Sequence, residues 1–152
     1  MDLILWRYAE ATESVAENDL ARELTAKGEG QAERMAEWLN RRLAPSTRVL
    51  VSPAVRCQQT AKALGRSFRT VAELAPGASA EAVLRVARWP DASEPVLVIG
   101  HQPTLGLAAS LVLTGSAQPW SIRKAAVWWI RHRPRDDESR AALQAVQSPD
   151  CL

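Results

Sequence analysis

The sequence has no long hydrophobic run, almost no net charge and only two cysteines, and each of these absences excludes a class of protein. No apolar stretch reaches the roughly 20 residues of a membrane-spanning helix, and the short apolar start lacks the pattern of a signal peptide. The net charge of +2 comes from lysines and arginines spread along the chain, which argues against nucleic acid and membrane surfaces as partners. Cys57 and Cys151 lack the spacing of a metal site, so we interpret them as reduced thiols of a cytoplasmic protein.

The order of strand and helix patterns along the chain predicts one α/β domain. At 152 residues, the chain has the length of a single domain covering 1–152. Strands are predicted at 3–6, 49–51, 96–99, 125–130 and 141–146. Helical patterns alternate with them, starting at or just after Thr25, Pro53, Ser79 and Pro103 and stopping at Pro45, Gly65, Trp89 and Gly115. This alternation favours a mainly parallel central sheet flanked by helices on both faces.

Charged and aromatic side chains follow three of the predicted strands. Arg7 and Tyr8 follow the first strand, Arg56 lies in the first turn of the helix after the second, and His101 follows the strand at 96–99. In such sheets ligands bind at the carboxyl ends of the strands, so we expect these side chains at one edge. A single arginine would be interpreted as part of a surface ion pair, whereas residues from three junctions together indicate a binding site.

The residue types at this edge suit a tetrahedral oxyanion. A guanidinium forms two charge-assisted hydrogen bonds to neighbouring oxygens, and helices that start near Pro53 and Pro103 add backbone N–H donors. Phosphate, or a sulfate-like anion, is therefore the predicted ligand. The sequence shows no metal-ligand spacing, and we expect neither a metal nor a cofactor.

Four segments resemble the motifs of histidine phosphatases and occur in the order found in that family. They are LILWRYAEA at 3–11, DLARELTAKGEGQA at 19–32, SPAVRCQQTA at 52–61 and VIGHQP at 98–103. The short chain, ELAPG at 73–77 and SP at 148–149 are similar to the SixA-type phosphohistidine phosphatases. The resemblance covers nearly the whole chain and implies the α/β fold of histidine phosphatases and phosphoglycerate mutases, with a phosphorylated protein as partner.

This resemblance also implies roles for individual residues. Arg7, Arg56 and His101 correspond to the positions that hold the phosphoryl group in the family. Arg22 is a further candidate phosphate contact, with an ion pair inside its own loop as the alternative. Glu73 is a candidate acid for protonating the leaving group, with a surface or capping carboxylate as the alternative.

The departure from the family lies at Tyr8. The family has a histidine there, which attacks phosphorus and carries it as phosphohistidine. A phenol with an ordinary pKa near 10 is only about 0.1% ionised near pH 7, and an aryl phosphate ester hydrolyses more slowly than a phosphohistidine. Three interpretations follow: a family member with impaired or absent turnover, a regulatory module that binds a phosphohistidine protein without cleaving it, or an active phosphatase with His101 as base.

Overall fold

Six strands and four α-helices are present in a computed structural model that describes residues 1–13, 18–135 and 138–152. In chain order they are β1 (Asp2–Arg7), α1 (Ala26–Asn40), β2 (Arg48–Val51), α2 (Val55–Lys62), β3 (Arg69–Thr70), α3 (Ala80–Ala87), β4 (Val96–Gly100), α4 (Thr104–Thr114), β5 (Val127–Arg135) and β6 (Glu138–Gln147). Short 3-10 helices lie at Asp19–Ala21, Ala72–Leu74 and Pro149–Cys151. Among the helices that the structure describes, we find no candidate for a membrane-spanning segment.

All six strands belong to one sheet, in the order β3-β2-β4-β1-β5-β6. The strands β3, β2, β4 and β1 pair with one another in parallel, whereas β5 is antiparallel to both β1 and β6. The parallel register pairs Arg7 with Gly100 and Val51 with Ile99, which brings the carboxyl ends of β1, β2 and β4 to one edge. The predicted α/β fold with a mainly parallel central sheet is confirmed.

Alternating side chains of β1 face two separate hydrophobic cores. Ile4 and Trp6 pack in the core that contains residues of α1 and α2, whereas Leu3 and Leu5 pack in the core that contains residues of α3 and α4. All four side chains are completely buried. A strand that is apolar on both sides is typical of a sheet covered on both faces. The helices therefore flank the sheet on both sides, as predicted.

Three helix-capping residues act as the sequence predicts. The Thr25 hydroxyl accepts a hydrogen bond from the Gly28 N–H at 3.0 Å, and the Ser79 hydroxyl accepts one from the Ala82 N–H at 3.1 Å. Gly115 ends α4 in the left-handed conformation, with φ of 82°. These caps fix the first turns of α1 and α3 and the last turn of α4.

The first helix is shorter than predicted. It ends at Asn40 and not at Pro45, because the Arg42 N–H bonds at 2.9 Å to the carbonyl of Leu39, three residues back, and not to that of Trp38 as an α-helix requires. This turn keeps Leu43 in the core although the residue lies outside the helix. The apolar spacing predicted the burial of Leu43 correctly and its conformation wrongly.

Two strand predictions also need correction. The strand predicted at 125–130 begins only at Val127, because Ala125 has a φ of 61° and the Ala126 N–H bonds to the Arg123 carbonyl at 3.0 Å in a turn. The sequence pattern did not reveal β3, whose two residues are exposed and polar and therefore show no apolar alternation.

Candidate functional site

The strand ends that were predicted to form a site meet at the carboxyl edge of the sheet. The Tyr8 N–H donates to the Gly100 carbonyl at 3.3 Å, just beyond the pairing of β1 with β4. The Ser52 N–H donates to the Ile99 carbonyl at 3.1 Å, just beyond the pairing of β2 with β4. Since β4 lies between β1 and β2, these bonds place His101 between the segments that follow both neighbours.

Tyr8 contacts the three other residues of the predicted cluster. Its ring centroid lies 5.3 Å from that of His101, with the ring planes tilted by 57°. The guanidinium carbon of Arg56 lies 4.8 Å from the Tyr8 ring centroid, and that of Arg7 lies 5.5 Å from it. The half-buried phenol ring thus neighbours two cations and an imidazole. The structure brings all four residues together.

Arg56 is almost completely buried, with 4% of its side chain exposed, in the first turn of α2. Its Nη1 donates to the main-chain carbonyl of Asp19 at 2.8 Å, and its Nη2 lies 3.1 Å from the Asp19 Oδ2. The same Nη2 lies 3.4 Å from Nδ1 of His101. The Nε of Arg56 is buried without a hydrogen-bond partner among the described residues. Such an unused buried donor has capacity for a further acceptor.

Arg7 is held by the segment that precedes β5. Its Nη1 donates to the Ile122 carbonyl at 2.8 Å, and its main-chain N–H donates to the Ala126 carbonyl at 3.1 Å. Within the described part of the chain, the Nε of Arg7 is also buried without a partner. Two arginines beside Tyr8 therefore each keep one buried N–H donor without an acceptor among the described residues.

His101 is 3% exposed, and its two ring nitrogens have different surroundings. The Nε2 atom lies 2.7 Å from the Ser52 hydroxyl, whereas Nδ1 faces the Arg56 guanidinium. Burial, followed by the charge of Arg56, lowers the pKa of His101 from 6.5 to about 4. The imidazole is therefore neutral near pH 7.

Ser52 and Cys57 complete the surroundings of His101 and were not among the predicted site residues. The Ser52 hydroxyl accepts a hydrogen bond from the Ala54 N–H at 3.2 Å. Its oxygen can also accept from Nε2–H of the His101 tautomer in which Nδ1 faces the Arg56 donor. The Cys57 Sγ lies 3.5 Å from the same nitrogen, but burial raises the pKa of Cys57 to about 12, which excludes a thiolate near neutral pH. Both residues lie in the motif at 52–61 that also contains Arg56, and this shared motif is the sequence signal that could have identified them.

Arg22 is linked to the cluster through Asp19. Its Nε donates to the Thr12 carbonyl at 2.7 Å, and its Nη1 lies 3.2 Å from the Asp19 Oδ1. The Asp19 carboxylate is therefore shared between Arg22 and Arg56. The ion pair that was the alternative interpretation of Arg22 is present, and a direct contact with phosphate stays a prediction.

Glu73 lies apart from these contacts. It is exposed in the single-turn helix Ala72–Leu74 after β3, and it forms no hydrogen bond or ion pair with another described residue. Its role as an acid stays a prediction. Among residues 1–13, 18–135 and 138–152, no three His, Cys, Asp or Glu side chains are grouped in a way that could hold a metal ion.

Comparisons with known proteins agree on one family. The model of the histidine phosphatase superfamily, branch 1, matches residues 3–79. The phosphohistidine phosphatase SixA of Escherichia coli K12 is 30% identical in an alignment of 127 positions, which covers 78% of this chain and 78% of the relative. The SixA homolog of Haemophilus influenzae is 30% identical in an alignment of 143 positions, which covers 84% of this chain and 85% of the relative.

A solved structure shares the fold. The protein histidine phosphatase SixA complexed with tungstate is similar with a TM-score of 0.79 and 26% identity, over 99% of this chain and 98% of the other. The similarity thus extends beyond residues 3–79 to nearly the full chain. The chain belongs to the histidine phosphatase superfamily, branch 1, as a member of the SixA type.

Proposed function

We propose that the chain binds the phosphoryl group of a phosphohistidine protein between Arg7, Tyr8, Arg56 and His101, and that it hydrolyses this group slowly or not at all. The observation that carries the proposal is the convergence of two guanidinium groups, each with a buried free Nε donor, and an imidazole around one ring. The tungstate complex of SixA supports the binding step, since tungstate is a tetrahedral dianion like a phosphoryl group.

The electrostatics of the cluster favour a dianion over a neutral ligand. Arg7 and Arg56 supply two permanent positive charges in a largely buried setting, where charge-assisted hydrogen bonds are strong. The Asp19 carboxylate already contacts Arg56 at 3.1 Å, which demonstrates that an anionic oxygen fits beside this guanidinium. A phosphoryl oxygen of the ligand takes the place of that carboxylate in the proposed complex.

Impaired turnover follows from the chemistry of Tyr8, which we assign to the position of the family's nucleophile. A phenol has to lose its proton before it attacks phosphorus, and the product is an aryl phosphate ester that hydrolyses slowly. A neutral imidazole attacks without losing a proton and forms a labile N–P bond. Tyr8 therefore favours binding of the phosphoryl group over its rapid hydrolysis. If hydrolysis is absent altogether, the chain acts only as a binding module.

One observation favours an active enzyme as the second candidate. His101 is neutral near pH 7, and a neutral imidazole can act as a general base. Its Nδ1 atom is directed toward Arg56, whereas Nε2 is engaged with Ser52. In this second candidate His101 has its proton on Nε2, and the free Nδ1 takes a proton from a water whose oxygen attacks phosphorus. The P–N bond to the substrate histidine breaks, and the leaving imidazole takes up that proton, so phosphate is released without a covalent intermediate.

The inferred partner is a phosphorylated protein of the cytoplasm. Cys57 and Cys151 are both free thiols, which fits a reducing compartment. The cluster uses arginine and histidine side chains for its proposed ligand, and the proposal invokes neither a metal nor a cofactor.

Replacing Tyr8 tests the assignment directly. Phosphate release from a phosphohistidine protein and from an aryl phosphate is measured for the unaltered chain, Tyr8→His and Tyr8→Phe. We expect Tyr8→His to raise the rate by about three or more orders of magnitude, because it supplies the nucleophile. Tyr8→Phe is the control for the hydroxyl, and its rate should equal the low rate of the unaltered chain. Equal, rapid release by all three proteins would favour the route through His101 and contradict impaired turnover.

Anion binding is tested separately from turnover. Tungstate should raise the melting temperature of the unaltered chain, because a ligand that binds only the folded state stabilises it. Arg56→Ala should abolish this rise. Arg66→Ala is the matched control, since Arg66 is also multiply hydrogen-bonded, to Asn40 and to two main-chain carbonyls, but lies outside the cluster. A tungstate effect that persists in Arg56→Ala would remove the basis of the proposal.

A further inference from the structure

A cleft beside the proposed phosphoryl site carries an excess of positive charge. It has a volume of about 380 Å³ and borders Arg7. Its charged lining consists of four cationic and two anionic side chains, namely Arg7, Lys27, Arg123, Lys124, Glu10 and Asp150, and we call it the basic cleft. This local excess of two positive charges equals the net charge of the whole chain, so the remaining residues are neutral on balance.

Three cations of the basic cleft have no compensating partner in the described part of the chain. Lys27, Arg123 and Lys124 are exposed, and none of their side chains forms an ion pair or hydrogen bond with another described residue. Glu10, by contrast, accepts a hydrogen bond from the Thr25 hydroxyl at 2.8 Å. The positive charge of the cleft is therefore available to a ligand.

The positions of these cations bring no evident benefit to the fold. Lys27 lies in the first turn of α1, where the helix dipole disfavours a positive charge. Arg123 and Lys124 directly follow Ile122, whose carbonyl holds the Arg7 guanidinium at 2.8 Å. The three cations thus lie around an arginine of the proposed phosphoryl site, and an anionic ligand explains their placement.

We propose that the basic cleft binds a second anionic group of the same ligand, a carboxylate from an acidic residue close to the phosphorylated histidine of the partner protein. The inference rests on the proposed function, because Arg7 borders both the phosphoryl site and the cleft. It deepens that function by specifying the partner: a phosphohistidine surrounded by acidic residues binds in preference to one surrounded by neutral residues. Ion pairs at an exposed rim act mainly on association and specificity, and salt weakens them.

The test uses the full chain and peptides that carry a non-hydrolysable phosphohistidine analogue. One peptide has aspartates on both sides of the analogue, a second has asparagines, and a third has the aspartates with unmodified histidine. Binding is measured by calorimetry at 50 and 200 mM salt, and tungstate binding is measured in parallel as the readout of the phosphoryl site. We expect the acidic phosphopeptide to bind about tenfold more tightly than the neutral one at low salt, with a smaller preference at high salt.

Two matched triple variants assign the preference to the cleft. The first variant combines Lys27→Gln, Arg123→Gln and Lys124→Gln, and it should lose the preference for the acidic peptide. Its tungstate affinity should change by less than about threefold at 200 mM salt, where the charges are screened. The control variant combines Arg34→Gln, Lys62→Gln and Arg85→Gln, which removes three exposed cations outside the cleft. It should keep the preference for the acidic peptide.

The outcomes separate the inference from the proposed function. Equal affinity for the acidic and neutral phosphopeptides, with normal tungstate binding, would overturn the role of the basic cleft alone. The role of the basic cleft would also be overturned if the variant of Lys27, Arg123 and Lys124 kept the preference for the acidic peptide. Loss of that preference in the control triple variant outside the cleft would overturn it as well. Binding of the unphosphorylated acidic peptide as tightly as the phosphorylated one would show that the carboxylate acts without the phosphoryl group. Absence of both tungstate and phosphopeptide binding would instead refute the proposed function.

Discussion

The Asp19 carboxylate and the Arg56 guanidinium form an ion pair at the proposed phosphoryl site, with Oδ2 3.1 Å from Nη2. The same carboxylate pairs with Arg22 through Oδ1 at 3.2 Å. The hydrogen bond from Arg22, and then that from Arg56, lowers the pKa of Asp19, so the group is ionised near pH 7. An anionic ligand must therefore compete with an internal anion for Arg56.

Removing this competitor should strengthen anion binding. In Asp19→Asn the side chain keeps its size but loses its charge, while the main-chain carbonyl still accepts from Arg56. Arg56 is buried, but the Asp19 side chain is 53% exposed, so solvent weakens the pair toward the roughly 0.2–1 kcal/mol of exposed ion pairs. We therefore expect tungstate to bind roughly two- to fivefold more tightly to the variant. The dissociation constants are measured by calorimetry at fixed salt.

The matched control is Glu37→Gln. It also removes one carboxylate from an exposed ion pair, with Arg41 at 2.6 Å, but on α1 outside the site. This variant should bind tungstate as the unaltered chain does. Weaker binding in Asp19→Asn would show that the carboxylate supports the bound anion and does not compete with it.

Ser52 should position His101 for ligand binding. Its hydroxyl lies 2.7 Å from Nε2, so Ser52→Ala leaves a buried ring nitrogen without that partner. Leaving a buried polar group unpaired costs about 1–3 kcal/mol, and the freed imidazole no longer has a fixed orientation. We expect tungstate affinity to fall about tenfold and the free energy of unfolding to fall within that range, measured by calorimetry and urea denaturation.

Ser110→Ala separates positioning from stability. Ser110 is equally buried in α4, and its hydroxyl donates to the Ser116 carbonyl at 2.5 Å and accepts from the Gln118 N–H at 3.0 Å. The control should lose comparable stability but keep tungstate affinity. Parallel losses of affinity in both serine variants would mean that Ser52 acts only through stability.

His101 should make the fold less stable in weakly acidic solution. Burial lowers its pKa to about 4, against an ordinary value of 6.5. As the pH falls below 6.5, the unfolded chain binds a proton that the folded imidazole does not, so the free energy of unfolding decreases until pH 4. We expect a decrease of about 2 kcal/mol between pH 7 and about pH 4.5, measured by urea denaturation.

Comparison with His101→Asn isolates this contribution. The variant has no imidazole at this position, so its stability should vary less over the same pH range. Asp2 and Asp19, whose pKa values are lowered by hydrogen bonds from arginines, contribute mainly below their ordinary value of 3.8. An NMR titration of the unaltered chain gives an independent check, and a His101 pKa near 6.5 would contradict the expected effect.

The sequence predicts the main architecture because its strongest local signals agree with the tertiary structure. The apolar run at 96–99 becomes the buried strand β4, and Thr25 and Ser79 cap helices as expected. The short strand β3 carries no such signal, since it exists only through pairing with β2. The start of β5 at Val127 could not be predicted either, because the turn before it depends on the backbone conformation of Ala125.

The cluster around Tyr8 could be predicted because strand ends fix its members. Arg7 is the last residue of β1, and Arg56 and His101 follow β2 and β4, which are parallel to β1, so topology alone brings them together. The contact of Asp19 with Arg56 could not be predicted, because it depends on the path of a loop and joins residues 37 positions apart. The basic cleft likewise combines residues from separate segments whose spacing in sequence carries no pattern.

Gly28 should be required for the loop that carries Tyr8. A Cβ at Gly28 would lie 2.0 Å from the Glu10 main-chain oxygen, whereas a Cβ at Gly30 in the same helix meets only the Arg34 side chain, at 3.5 Å. Gly28→Ala must displace Glu10, and we expect it to lower the free energy of unfolding by about 1–3 kcal/mol and to weaken tungstate binding. Gly30→Ala should raise that free energy by about 0.5–1 kcal/mol and leave binding unchanged, since alanine favours the helix. Urea denaturation measures the free energy of unfolding of each variant, and calorimetry measures its tungstate affinity. Equal effects of the two substitutions would exclude close packing of α1 against the segment after Tyr8.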